Sequence, residues 1–114
     1  MFVTNCLPSA CALLPTDAIL TEVANGLSAV GRRGLAVALI NAVLSTKEIE
    51  VVHVTRRFWE RGWQLYQERP DKEWGLTDCL SFVVMEERSI REALTSDHHF
   101  EQAGFVRLIR MESP

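Results

Sequence analysis

The chain has 114 residues, of which 47% are hydrophobic and 24% charged, and its net charge is −3. This length is enough to bury a core, so we expect a single domain over residues 1–114. The net charge excludes a broad basic field, so contact with nucleic acid would need a local basic patch. No apolar run reaches the roughly 18 residues of a membrane span, which predicts no membrane association. The cysteines lack C-x-x-C spacing and favour a reducing, cytoplasmic location without a disulfide framework.

The first half of the chain predicts two helices after an atypical N-terminus. Residues 1–15 have no clear period, and we expect only a short strand over MFV there. The segment PTDAILTEVANGLSAVG, residues 15–31, predicts a helix in which Thr16 is the N-cap, Val30 belongs to the apolar stripe and Gly31 ends the helix. LAVALINAVLST, residues 35–46, predicts a second, largely buried helix.

The second half predicts strands that alternate with helices. Short or β-branched segments predict strands in IEVVHV (49–54), REALTSD (91–97) and FVRLI (105–109). Apolar periodicity predicts helices in TRRFWERGWQLYQERP (55–70) and LTDCLSFVVMEER (76–88), with one helical turn in HHFEQAG (98–104). In the first of these helices we expect inward-facing residues at Phe58, Trp59, Leu65 and Tyr66. The alternation implies parallel pairing with right-handed crossovers, and hence an α/β domain with a central parallel sheet flanked by helices.

Three acidic residues fall near the edge where parallel sheets bind ligands, beyond the carboxyl ends of the strands. Asp97 follows a predicted strand, Asp78 lies near a helix N-terminus, and Glu22 lies in the second turn of its helix. Each also has an ordinary explanation. Asp78 could merely favour the helix dipole, Asp97 could be a helix cap, and Glu22 could be a solvated residue at the helix edge.

The helix that contains Asp78 has an unusual distribution of polar residues. Most of its circumference is apolar, and Thr77, Asp78 and Ser81 share one narrow face at 100° per residue. A buried helix with a single small polar face is expected to line a polar cavity.

The segment DKEWGLTDCLSFVVMEERSIREALTSDHHFEQAGF, residues 71–105, closely resembles the C-terminal half of PIN-domain proteins, the fold of many VapC-type toxin ribonucleases. TDAILTEVANGLS resembles the family segment that carries its Glu. The resemblance implies a PIN-like three-layer α/β domain and a metal-dependent endoribonuclease. It also implies that Glu22, Asp78 and Asp97 are catalytic residues that bind Mg²⁺ or Mn²⁺, with Thr77 beside them. RNA as substrate, an antitoxin protein and a second copy of the chain are the partners it implies.

The chain departs from the family pattern at two places. PIN domains begin with a strand that ends in Asp, in a VDTS-like context, whereas residues 1–15 contain Thr4 and Asn5 and no such Asp. We therefore expect an N-terminally truncated PIN domain that lacks its first strand and exposes sheet edges. His99 stands where many relatives carry another acid. The alternative function is a catalytically impaired domain that only binds RNA or an antitoxin-like protein.

Several other side chains have two explanations. Arg32, Arg33, Arg56 and Arg57 could contact phosphates or could be solvated. Trp59 and Trp63 could stack on bases, but their helical spacing favours core positions. His98 and His99 could bind metal, but surface histidines are favoured because no Cys cluster lies nearby. A purely structural α/β domain would leave the polar face around Asp78 unexplained.

Overall fold

The computed structural model describes residues 2–7 and 10–109, with side chains from residue 13 onward. Within these residues four strands form one sheet in the order β2-β1-β3-β4. The strands are β1 (Phe2–Leu7), β2 (Ala10–Leu14), β3 (Glu92–Leu94) and β4 (Val106–Arg107). The expectation of an irregular N-terminus is therefore wrong, because β1 occupies a central position in the sheet.

The sheet is mixed. β1 pairs antiparallel with both β2 and β3, while β3 and β4 pair in parallel. Only two residues separate β1 from β2, and a parallel pair needs a crossover of a dozen or more residues, so the chain itself dictates the antiparallel hairpin. The α/β class is as expected. The alternation of strands and helices predicted a wholly parallel sheet, and that prediction is wrong.

The segment 49–54 forms isolated bridges instead of the predicted strand. Ile49 bridges Leu13 and Val52 bridges Thr16, both in parallel. The N–H of Val52 donates to the carbonyl of Pro15 at 2.8 Å. Pro15 has no N–H to donate in return, so the ladder is interrupted between the two bridges.

The helices are α1 (Asp17–Gly26), α2 (Arg33–Ser45), α3 (Arg56–Glu68), α4 (Leu76–Glu87) and the short α5 (His99–Gln102). Thr16 is the N-cap of α1, as predicted, because its hydroxyl accepts the N–H of Ile19 at 3.3 Å. α1 ends at Gly26 and not at Gly31, so Val30 lies beyond the helix and is 99% exposed. Its predicted place in the apolar stripe is wrong.

The core surrounds α4, in which all residues from Cys79 to Met85 are buried. Aromatic rings pack edge-on beside it: the ring centroids of Trp74 and Phe82 lie 5.1 Å apart, and those of Phe82 and Phe100 lie 4.8 Å apart. In the part of the chain that the structure describes, we find no helix with the length and apolar character needed to cross a membrane.

α2 is not the largely buried helix that its apolar composition predicted. Ala36 and Val43 are its buried residues, whereas Leu35, Val37 and Leu44 are each more than half exposed. α2 packs mainly against α1. A helix with one such neighbour covers only one face, so the remaining apolar residues stay on the surface.

Gly62 allows α3 and α4 to approach closely. A Cβ atom at this position would lie 2.5 Å from Cδ2 and 3.4 Å from Cα of Leu80. Gly62→Val is therefore expected to destabilise the fold by about 1–3 kcal/mol, the usual cost of overpacking. Urea unfolding measures this change, and Gly34→Val is the control, because nothing lies within 4 Å of a Cβ at Gly34. Equal midpoints for the two variants would contradict the close approach.

Candidate active site

Asp78 lies in the first turn of α4 and contacts the residue before the helix. Its Oδ2 accepts the N–H of Gly75 at 3.1 Å. This contact satisfies a backbone donor that the helix leaves free, so Asp78 does stabilise the helix N-terminus. The helix-end explanation and a role in a polar site are therefore compatible.

Asp97 and His99 lie in the loop and turn that follow β3. Oδ1 of Asp97 accepts the backbone N–H of His99 at 2.9 Å, which is the capping contact expected of an Asp at this place. The His99 ring turns back toward both carboxylates: its Nδ1 lies 3.3 Å from Oδ1 of Asp97 and 3.5 Å from Oδ2 of Asp78. We call these three residues the Asp78–His99–Asp97 cluster.

The electrostatics of the cluster favour proton or cation binding. Partial burial raises the pKa of Asp78 above its ordinary value, and the negative charge of Asp97 raises it further. The N–H of Gly75 and the His99 ring lower the same pKa and only partly offset the burial. Two carboxylates close together in a partly desolvated place repel each other, and a bound cation relieves that repulsion.

The donor set of the cluster fits a divalent cation. Carboxylate oxygens suit Mg²⁺ and Mn²⁺, and imidazole nitrogen suits transition metals. Nδ1 of His99 is shielded from solvent and has no hydrogen bond of proper geometry to a described residue. His98 adds a further nitrogen, since ligand atoms of Asp97, His98 and His99 all lie within 4.8 Å of one another.

Glu22 lies apart from the cluster. It is an exposed residue of α1 and lines a hollow of about 450 Å³ together with Thr77 and Trp59. No close polar contact among the described residues joins Glu22 to Asp78 or Asp97. Thr77 lies between the two regions, because it lines this hollow and immediately precedes Asp78.

Ser81 is the third member of the predicted polar face. Its side chain is 1% exposed, and its Oγ has no hydrogen-bond partner among the described residues. It lies three residues after Asp78 and thus nearly one helical turn further along α4. The predicted cavity-lining face therefore has a buried polar end at Ser81 and a half-buried end at Asp78.

Sequence reasoning missed His99. Surface positions were favoured for both histidines, and this holds for His98, whose side chain is 66% exposed, but not for His99 at 18%. The available signal was its position, two residues after the predicted site residue Asp97. The direction of the ring toward α4 depends on how the turn after β3 packs, which no local pattern reveals.

The predicted basic residues are mostly paired. Arg57 forms an ion pair with Glu87 on α4, and Arg56 pairs with Glu60 at 2.9 Å. Arg33 donates a hydrogen bond to the carbonyl of Ser28 at 3.1 Å. These contacts favour structural roles at the surface over dedicated phosphate binding.

A comparison with protein families matches residues 12–106 of the chain to the PIN domain. The chain belongs to the PIN-domain family. The resemblance noted in residues 71–105 is thereby confirmed. In the PIN domain described here, α4 supplies Asp78, the loop after β3 supplies Asp97, and α5 supplies His99.

Curated relatives and a solved structure give the same family. Over 73 residues the chain is 36% identical to the 23S rRNA-specific endonuclease VapC20 of two Mycobacterium tuberculosis strains. This match covers 64% of the chain and 55% of the relative, so the chain spans about half the length of these curated relatives. The crystal structure of M. tuberculosis VapC20, described as a sarcin-ricin loop cleaving toxin, superposes with a TM-score of 0.77. The identity there is 28%, over 85% of this chain and 74% of the other.

Proposed function

We propose that this PIN domain is a divalent-metal-dependent endoribonuclease of the VapC type. The observation that carries the proposal is the convergence of Asp78 and Asp97 on His99 at the N-terminus of α4. The likeness to VapC20, whose name describes a 23S rRNA-specific endonuclease, supports RNA as the substrate. Such a substrate would be met in the cytoplasm.

In the proposed site, Asp78, Asp97 and His99 would hold Mg²⁺ or Mn²⁺. Such an ion, when bound, lowers the pKa of a coordinated water and stabilises the charge that develops on the leaving oxygen. Glu22, beside Thr77, is proposed as a further acidic residue that faces the RNA from α1. Ser81 supplies a buried hydroxyl that can orient a neighbouring polar group on the same helix face.

The proposed protein partners are an antitoxin and a second copy of the chain. The exposed aliphatic residues of α2 support this proposal, because Leu35, Val37 and Leu44 leave an apolar face without a neighbour in the described structure. Apolar faces of this kind commonly mark contact surfaces for other chains.

The first test is cleavage of a stem-loop RNA by the whole chain with Mg²⁺, with Mn²⁺ and with EDTA. Asp97→Asn keeps an oxygen that can accept the N–H of His99 but loses the charge, so we expect at least about a hundredfold loss of cleavage. Glu86→Gln, an exposed residue of the same helix as Asp78, should cleave like the wild type. Metal-independent cleavage, or cleavage unaffected by Asp97→Asn, would reject the proposal.

A second candidate function is binding without catalysis, to RNA or to an antitoxin-like protein. It is favoured by β1, the central strand, whose sequence FVTNCL contains no carboxylate. The same assay separates the two functions, because a chain that binds the RNA and the metal but leaves the RNA intact would be a binding module.

His99 is expected to change the choice of metal. Imidazole suits Mn²⁺ better than Mg²⁺, which prefers oxygen ligands and water. His99→Asp should therefore lower the ratio of Mn²⁺ to Mg²⁺ affinity by about tenfold, a change in the range found when residues around a metal are altered. Calorimetric titration of both ions measures the ratio, with Glu86→Gln, an exposed position outside the cluster, as the control. An unchanged ratio in His99→Asp would mean that the ring is not a ligand.

A further inference from the structure

Three aromatic side chains form an exposed stack on α3. Trp59, Trp63 and Tyr66 are 46%, 40% and 44% exposed, although core positions were predicted for the tryptophans and an inward-facing position for Tyr66. The ring centroids lie 5.9 Å apart for Trp59 and Trp63 and 5.5 Å apart for Trp63 and Tyr66, with interplanar angles of 15° and 13°. We call this near-parallel stack the aromatic ladder. Three large rings in contact with water are an uncommon surface feature for an isolated domain.

The ladder separates two hollows. Trp59, at one end, lines the hollow of about 450 Å³ that also contains Glu22 and Thr77. The opposite end, at Trp63 and Tyr66, lines a second hollow of about 690 Å³. Lys72, Trp74, Gly75 and Cys79 also belong to this second hollow.

Both hollows reach the start of α4. Thr77 borders the first and Gly75 borders the second, and both residues come shortly before Asp78 in the chain. The ladder therefore borders two hollows whose linings include residues shortly before Asp78 in the chain.

We propose that the aromatic ladder is a stacking platform for unpaired bases of the RNA substrate next to this cluster; this inference rests on the proposed ribonuclease function. Every base has a π-face, so aromatic rings bind unpaired bases with little dependence on sequence. In each hollow, part of an aromatic ring of the stack is accessible, and the volume of the hollow is larger than that of a nucleic-acid base. A ribonuclease that cuts within a loop needs such a platform, because the loop has few paired bases to present to the protein.

One cation beside the ladder suits a nucleic acid. The three arginines of α3 already form ion pairs with Glu60 and Glu87. Lys72 in the second hollow makes no ion pair within 4 Å among the described residues, so its ammonium group can meet a phosphate. Aliphatic apolar surface, which suits a protein partner, lies instead on α2. The RNA is therefore the occupant that the ladder fits best.

The test measures binding separately from cleavage. In an Asp78→Asn background, which prevents cutting, a fluorescein-labelled RNA stem-loop is titrated and its anisotropy recorded. Trp59→Ala and Tyr66→Ala, which each remove an outer ring of the stack, are expected to weaken binding at least about fivefold, the lower end of base–aromatic stacking. Trp59→Phe keeps a ring and should retain most of the affinity. Val30→Ala, at a fully exposed apolar position outside the helices and the proposed partner surface, is the control and should bind unchanged.

A second RNA probes the bases directly. The same stem-loop with abasic loop positions should bind the ladder-intact protein at least about fivefold more weakly, and the alanine variants should no longer distinguish the two RNAs. Binding of the normal loop should also quench tryptophan fluorescence in the protein with an intact ladder. Thermal melts of each variant show whether the fold is retained. The fluorescence measurement, and the comparison of the two RNAs on the protein with an intact ladder, require no substitution in the ladder.

The outcomes distinguish the platform from the nuclease. If the alanine variants bind the normal loop as tightly as the protein with an intact ladder, the inference is wrong, even if the wild type cleaves RNA. Ring-dependent binding without any wild-type cleavage supports the ladder and rejects the proposed catalysis. If Trp59→Ala instead turns a dimer into a monomer in sedimentation and leaves RNA affinity unchanged, the ladder is a contact between copies and the inference is wrong.

Discussion

Asp78→Asn is expected to abolish RNA cleavage and Mn²⁺ binding while it leaves the fold intact. The amide keeps an oxygen that can accept the N–H of Gly75, so the helix N-terminus retains its partner. The lost charge removes a proposed metal ligand, for which at least about a hundredfold loss of activity is expected. Calorimetric Mn²⁺ titration and RNA cleavage measure the two losses, with Glu86→Gln as control.

The pH dependence of stability provides an independent readout for Asp78 in metal-free buffer. Because burial raises its pKa in the folded protein above the ordinary value of 3.8, the folded state holds this proton more tightly than the unfolded state. The contribution of Asp78 to stability therefore falls as the pH rises from about 3.8 through the folded pKa, and stays low above it. Asn cannot ionise, so the variant should be as stable as the wild type or more stable at pH 7. A clear loss of stability would show that the carboxylate is needed for structure.

Phe100→Ala is expected to cost about 3–5 kcal/mol of unfolding free energy, the usual range for a buried phenylalanine. Phe100 is fully buried, and its ring packs edge-on against Phe82 at 4.8 Å. A domain of this size has a total stability of about 5–15 kcal/mol, so the variant should be close to unfolding at 37 °C. Urea denaturation at 25 °C measures the loss.

The position of Phe100 links the core to the cluster, because it directly follows His99 in the chain. A loosened ring should also release the His99 turn, so we expect weaker Mn²⁺ binding even at temperatures where the variant is folded. Val30→Ala, at a fully exposed position, should change stability by less than about 0.5 kcal/mol and leave metal binding unaltered. A loss below about 1 kcal/mol in Phe100→Ala would contradict the packing described for this ring.

The local signals in the sequence predicted the helix that carries Asp78 almost to the residue. LTDCLSFVVMEER predicted residues 76–88, and α4 spans Leu76–Glu87. The prediction succeeded because its causes are local: an acidic residue in the first turn and a long apolar run. The placement of Asp97 just beyond a strand was predictable for the same reason.

The direction in which α3 faces could not be predicted from spacing alone. Two stripes run along this helix one residue apart, Phe58–Gly62–Leu65 and Trp59–Trp63–Tyr66, and both have helical periodicity. The larger apolar area of its rings favours burial of the second, but the small size of Gly62 lets α4 approach the first. Because α4 packs against the face of α3 that contains Gly62, the larger rings of Trp59, Trp63 and Tyr66 remain exposed to solvent. The burial of α2 was mispredicted because apolar composition alone does not show how many elements pack against a helix.

The central place of β1 bears on how the protein folds. Phe2 pairs with Leu94, so the strand in the middle of the sheet joins segments from nearly opposite ends of the chain. Closing so long a loop costs entropy before any contact offsets it, and topologies of this kind fold slowly. α3 and α4 are neighbours in sequence and pack extensively, so they are expected to form first. The turn after β3, which carries Asp97 and His99, would then reach its final position only in the last step of folding.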